Sequence, residues 1–192
     1  MDQSEQLVAL TAILKAHFHK SVWDDSAEDT AKRFLKFLKE YSPNGPKPVD
    51  ELPFDFTTFE YKGDGQIVIV EGIEFASICA HHLLPFMGTC DVAYIPSKVM
   101  VGLSKIPRLV DFHALRPNTQ EYLTDAIAVD LKRRLNCLGV AVVMRASHTC
   151  MGCRGVRKVN AVTHTSAMRG VFLTNPAARQ EMLGLLRRNG NE

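Results

Sequence analysis

Two short stretches, Cys79-Ala80-His81-His82 and His148-Thr149-Cys150, carry the residue types of a metal site split between distant parts of the chain. Thiolate and imidazole together suit zinc, and three protein ligands leave the fourth tetrahedral position open to water, the mark of a catalytic site as opposed to a structural one. Cys79 and His82 stand three apart, so one turn can aim both at a single ion, whereas Cys150 has to arrive from another element. The second histidine of each stretch, His81 and His148, offers a group that titrates near neutral pH for moving protons. Cys150-Met151-Gly152-Cys153 keeps an alternative open, because a C-x-x-C unit can close a four-ligand structural site or work as a redox pair. The first half is C-x-x-H and not a second cysteine knuckle, which favours three ligands and an open position. For any one of these thiols alone the competing explanation is a buried core cysteine. His17, His19, His113 and His164 stand outside both clusters and read as surface or packing residues.

Positioning these groups requires strand ends that meet. The run Phe75 to Cys79 reads as a strand feeding the first cluster, and the almost wholly apolar Gly139 to Ala146 as a buried strand delivering His148 and Cys150. Further strands are expected at Gln66 to Val70, at Asp91 to Ile95 before Pro96, and within Arg157 to Thr165. Between them, Lys105 to Leu115 and Gln120 to Leu135 read as helices, the second with Leu123, Ile127, Leu131 and Leu135 on one face. Asn175-Pro176 opens a last helix. The N-terminal part is helical by the same criterion. Leu7, Leu10, Ile13, Leu14 and Phe18 form one stripe, and Ala31, Phe34, Leu35, Leu38 and Tyr41 a second, with Ser26 and Asp29 as a capping signal before it. The Pro/Gly-rich segment Ser42 to Pro48 ends that region. An α+β fold is therefore expected, with residues 1–48 as a helical arm and 49–192 as the catalytic domain.

At 192 residues the chain can bury a core without disulfides or a structural metal. A net charge of +2 gives no electrostatic footprint for nucleic acid. The polar, acidic start Met1-Asp2-Gln3-Ser4-Glu5 is unlike a secretory signal, and no apolar run reaches the roughly 18 residues of a membrane span. Five cysteines, two of them beside histidines, fit a reduced cytoplasmic chain with metal-bound or free thiols better than a disulfide framework.

At these residues the sequence resembles GTP cyclohydrolase I. The resemblance runs from about Phe75 to the C-terminus and more weakly through the second N-terminal helix. It is carried by Cys79-Ala80-His81-His82, Gly102-Leu103-Ser104-Lys105, Arg116-Pro117 followed by Gln120-Glu121, His148-Thr149-Cys150 and Arg154-Gly155, all in order. It implies a tunnelling fold, an antiparallel sheet with helices on one face whose sheets join into a barrel in a homodecamer with active sites between subunits. It implies zinc on Cys79, His82 and Cys150, with His81, His148 and Ser104 as catalytic residues. Gln120 and Glu121 would recognise guanine. Lys105, Arg108 and Arg154 would hold the triphosphate, with Arg33 and Lys36 as a further basic patch. The implied reaction takes GTP through hydrolytic opening of the imidazole ring and release of formate to 7,8-dihydroneopterin triphosphate.

The sequence departs from the family's usual pattern at several points. Ala80 replaces a common glutamate, Ala31 a frequent proline, and Cys153 an apolar or small residue, while Ala167 and Arg169 alter a threonine-rich stretch. Rival readings are a closed zinc domain that adds Cys153, a related tunnelling-fold enzyme acting on a pterin or deazapurine, and a redox protein using Cys150 and Cys153. The last leaves Cys79, His82 and Glu121 unexplained.

Overall fold

The computed structural model describes residues 2–18, 26–42 and 51–187. The chain divides into two compact units, Met1–Lys47 and Pro48–Glu192. The boundary segment from Pro43 to Pro48, His19 and Arg188 lie outside the described residues.

The first unit holds two helices, α1 (Gln3–His17) and α2 (Ala27–Glu40). Asp2 and Glu5 close a capping box on α1, each side chain accepting from the other's backbone N–H at 2.8–2.9 Å. Ser26 caps α2, its hydroxyl oxygen accepting from the Asp29 N–H at 3.2 Å as the sequence predicts. Among the described residues of this unit only Ala27 and Ala31 are buried, so the two helices meet over a thin seam.

The second unit begins with β1 (Thr58–Glu60), β2 (Val68–Cys79), β3 (Pro85–Ile95), β4 (Val99–Val101), α3 (Lys105–Ala114) and β5 (Pro117–Asn118). It continues with α4 (Gln120–Leu135), β6 (Gly139–His148), α5 (Thr149–Gly152), β7 (Val162–Gly170), α6 (Val171–Thr174) and α7 (Pro176–Arg187). Five strands form one sheet in the order β5-β2-β3-β6-β7, and β1 pairs with β4 in a separate ribbon. The large sheet is antiparallel except at its edge, where β5 runs parallel to the last two residues of β2.

Four sequence expectations change. The strand expected at Asp91 to Ile95 starts earlier, as β3 at Pro85. Gln66 to Val70 and Phe75 to Cys79 belong largely to one strand, β2, interrupted by a bulge between Val70 and Ile73 where Gly72 takes φ +67°. The carboxylate of Asp91 accepts the Gly72 N–H at 2.9 Å and pairs with Arg145 at 2.8 Å, fixing the bulge from the neighbouring strands. The last strand lies further on than Arg157 to Thr165, at Val162–Gly170. Helices also cover both faces of the sheet. On one side α3 and α4 pack over Phe75, Cys90, Val92, Val142 and Met144. On the other, Phe172 of α6 and Met182 of α7 pack with Ala93, Ile95 and Ala141 at one end. The alternation of β3 allows this, since its even-numbered residues enter the first core and Ala93 and Ile95 the second.

α4 has the predicted bounds and the predicted buried row Leu123, Ile127, Leu131 and Leu135. Thr119 caps its start and Asn136, in the left-handed region at φ +43°, ends it. His113, read as a packing residue, is buried between α3 and α4, and its Nε2 lies 3.1 Å from the carboxylate of Asp130.

Candidate functional site

The first cluster sits on the turn between β2 and β3. Cys79 closes β2, the Cys79 N–H donates to the Leu84 carbonyl, and the Leu83 N–H donates back to the Cys79 carbonyl, both at 2.8 Å. Leu83 adopts φ +54° to complete this tight reversal. His81 and His82 are thereby folded back toward the Cys79 sulfur, their Nδ1 atoms 3.7 and 3.8 Å from Sγ. The second cluster arrives because β6 runs antiparallel beside β3 with Phe86 opposite His148. The Thr149 hydroxyl donates to the Pro85 carbonyl at 2.6 Å, tying α5 to the start of β3 and bringing Cys150 to the turn.

The ligand atoms of Cys79, His82 and Cys150 all lie within 4.8 Å of one another. Bonds of about 2.0–2.3 Å in a tetrahedron place neighbouring ligand atoms about 3.3–3.8 Å apart, so small side-chain adjustments suffice to close the group on zinc. The electrostatics favour a cation as well. Burial and the adjacent Cys79 sulfur push the Cys150 thiol up, and Arg154 only partly offsets them. A divalent cation between the two sulfurs reverses that penalty and favours both thiolates. Two sulfurs and one imidazole nitrogen are the donor set zinc takes, so the residues present fit the metal that the sequence implies. Cys153 is exposed and stands outside the three-residue group, which counts against the closed four-ligand alternative.

Around this group the structure assembles part of the expected constellation. The His148 ring stacks on Phe86, with centroids 4.6 Å apart and planes 2° from parallel. Its Nε2 lies 2.8 Å from Oε1 of Gln120. Burial lowers the His148 pKa, and Glu121 is near enough for its charge to raise it in opposition. Glu121 itself is exposed in the first turn of α4, while the adjacent Gln120 is buried at 1 % relative exposure. Arg154 acts electrostatically on Cys150 and sits in an exposed turn closed by the Arg157 N–H to the Arg154 carbonyl.

Other predicted residues remain separate from the cluster. Ser104 is the N-cap of α3 but makes no capping hydrogen bond, and its hydroxyl has no partner among the described residues. Lys105 is half-buried and Arg108 exposed on the same helix, and no hydrogen bond or ion pair joins either side chain to the metal group among the described residues. Arg33 and Lys36 lie exposed on α2 in the first unit, where the Arg33 Nη2 donates to the Thr30 hydroxyl at 3.4 Å. Sequence reasoning missed Phe86, Thr124 and Thr165. Their part follows from strand register and helix docking, and their residue types carry no signal of their own.

Fold and site define an α+β protein with a candidate mononuclear metal centre flanked by acid–base side chains. Comparison with known proteins narrows this. The family described as GTP cyclohydrolase I matches residues 8–187. A GTP cyclohydrolase 1 of Campylobacter jejuni (serotype O:6) is 51 % identical over 157 residues, covering 82 % of each chain. Another from C. jejuni (serotype O:23/36) is 42 % identical over 178 residues, covering 83 % of this chain and 93 % of the relative. One from Hydrogenobaculum sp. is 37 % identical over 188 residues, covering 97 % of this chain and 100 % of the relative. The chain belongs to the GTP cyclohydrolase I family.

Proposed function

We propose that this chain opens the guanine imidazole ring of GTP by hydrolysis, releases formate and rearranges the remainder to 7,8-dihydroneopterin triphosphate, with zinc held by Cys79, His82 and Cys150. The observation that carries the reading is the convergence of those three side chains beside His148 in a chain of this family. Zinc at this position supplies a Lewis acid and lowers the pKa of a bound water from about 15.7 to about 7.

The protein's own residues have separable parts. His148, held against Phe86, protonates nitrogen 7 of the base as carbon 8 is attacked. Glu121 accepts parallel hydrogen bonds from nitrogen 1 and the 2-amino group, a donor pair that adenine lacks. Lys105 provides a point charge for the triphosphate, while Arg108 and Arg154 fork onto its oxygens. The free hydroxyl of Ser104 and the imidazole of His81 serve the later ribose steps. Arg33 and Lys36 form a further basic patch within the helical arm, residues 1–48, and the catalytic domain is residues 49–192. The assembly is a cytoplasmic homodecamer of tunnelling-fold subunits, their sheets joined into a barrel and their active sites shared between neighbours.

The test is direct. Zinc-loaded protein incubated with GTP should release formate and yield a pterin that fluoresces after oxidation. Folded, zinc-replete protein that releases no formate above a protein-free blank would remove the proposal.

A further inference from the structure

The expected base-reading role of Gln120 conflicts with how its amide is used. Its Nε2 faces three acceptors, the Met144 carbonyl at 3.3 Å, the Thr163 carbonyl at 3.0 Å and the Thr165 hydroxyl at 3.1 Å. Turning the amide over would set its oxygen against two carbonyl oxygens, so Oε1 must be the atom 2.8 Å from His148 Nε2. An amide oxygen only accepts, and therefore His148 Nε2 carries the hydrogen.

The hydroxyls fix the same direction. Thr124 Oγ1 donates to the Gln120 carbonyl at 2.6 Å, which uses its single hydrogen. In the 2.6 Å contact between Thr124 and Thr165 the donor is then Thr165, leaving the Thr165 lone pairs for the Gln120 amide. One directional chain results: His148 to Gln120, Gln120 to Thr165, Thr165 to Thr124, and Thr124 to the Gln120 backbone. Gln120 and Thr124 are each 1 % exposed, while His148 and Thr165 at the other ends of these bonds are half-buried. Phe86 fixes the plane of the imidazole and this chain fixes its rotation.

We propose that Gln120 and Thr165 are positioning residues for His148, holding its Nε2–H against the protein so that Nδ1, carrying the hydrogen that passes to nitrogen 7, is the nitrogen that meets the substrate. Gln120 does not read guanine through its side chain, and base selection by a side chain of this pair falls to Glu121. The inference rests on His148 being the proton-transfer group.

Thr165→Val keeps the side-chain shape and removes the hydroxyl that orients the amide. In zinc-loaded protein it should lower kcat for formate release by about tenfold or more, a fraction of what a general acid contributes. KM for GTP and zinc content should stay unchanged. Thr165→Ser should restore kcat. Thr165→Ala removes the same hydroxyl without inserting a methyl group against Gln120, and serves if the valine variant folds poorly. Gln120→Met should likewise lower kcat at constant KM, whereas a rise in KM with kcat retained overturns the positioning role. The decisive comparison is a double-mutant cycle with His148→Ala. If Thr165 acts through His148, Thr165→Val should change kcat less than about twofold in that background. An equal loss in both backgrounds overturns the inference and leaves the role of His148 standing. A His148→Ala variant with wild-type formate release removes that role, and the inference falls with it.

Discussion

The proposed function gives the choice of base to Glu121. Its carboxylate is exposed at the start of a helix, a favourable place for an anion, and is close enough to His148 to act on its charge. Glu121→Gln keeps the size and removes one of two acceptors. An unpaired donor on bound guanine costs about 1–3 kcal/mol, so KM for GTP should rise roughly tenfold while zinc content holds. Steady-state kinetics with GTP and ATP checks this, and unaltered selectivity between them would argue against base reading. Cys150→Ser belongs to the same scale, since a hydroxyl is a poor substitute for a thiolate on zinc. Metal content and formate release should fall together, and a variant with full metal and normal turnover would show that Cys150 is no ligand. The spatial union of Cys79, His82 and Cys150 was legible in the sequence because each lies at a strand end, in the turn beside it or in the short helix that follows it, and the residue types have few other reasons to recur there. The Gln120–Thr165–Thr124 chain was not. Glutamine and threonine carry chemistry only through their partners, and those partners come from β6 and β7, 24–45 residues along the chain.

The site depends on how closely two strands and two helices approach. Gly88 of β3 faces β6 so tightly that a methyl group there would fall inside the envelope of the Arg145 carbonyl oxygen and the Ala146 backbone. Neither atom belongs to a flexible side chain, so Gly88→Ala should push the strands apart two residues from the Phe86–His148 stack. A loss of about 1–3 kcal/mol by chemical denaturation is expected, with reduced activity in the molecules that remain folded. Wild-type stability would show that the strands yield freely. α3 and α4 are joined through Asp130. Burial opposes its charge, yet the hydrogen bonds from His113 and Arg133 and the charge of Arg134 outweigh that cost and hold its carboxyl well below the usual carboxylate range. An unfolded aspartate titrates near about 3.9. The stabilisation is therefore complete above that value and is lost as the pH falls below it through the folded value. Asp130→Asn should cost about 3 kcal/mol at pH 7 and flatten the acid limb of the stability curve, and an unchanged limb would place acid sensitivity elsewhere. Helical periodicity revealed α3 and α4 to within a residue, and the run from Gly139 revealed most of β6. β2 was less readable, as two separate strands, because Asp91 and Arg145, distant in the chain, keep the intervening segment a bulge within one strand. The parallel pairing of β5 and the second helical face depend wholly on contacts distant in sequence.

For the whole molecule, the sheet of the second unit is unfinished on both sides. β7, nine residues long, pairs only with β6 among the described residues. On the opposite side β5 covers only Ile78 and Cys79 of β2, leaving Val68–Ser77 without a strand neighbour on that edge among the described residues. Long open edges invite pairing with another chain, and soluble proteins usually shorten, cover or close them. β7 carries exposed Val162 and contains no proline, so its sequence does little to block such pairing. Joining the two edges between copies would satisfy both rows of backbone donors and acceptors, and the ring count then depends on sheet curvature. The proposed homodecamer predicts a sedimentation mass of ten chains of 21.4 kDa each, stable on dilution into the working range of the assay. If active sites form between subunits, mild dissociation should abolish formate release before it removes helical circular dichroism, and reassociation should restore it. A fully active 21.4 kDa monomer across the concentration range would separate the chemistry from assembly, and the open edges would then need another cover.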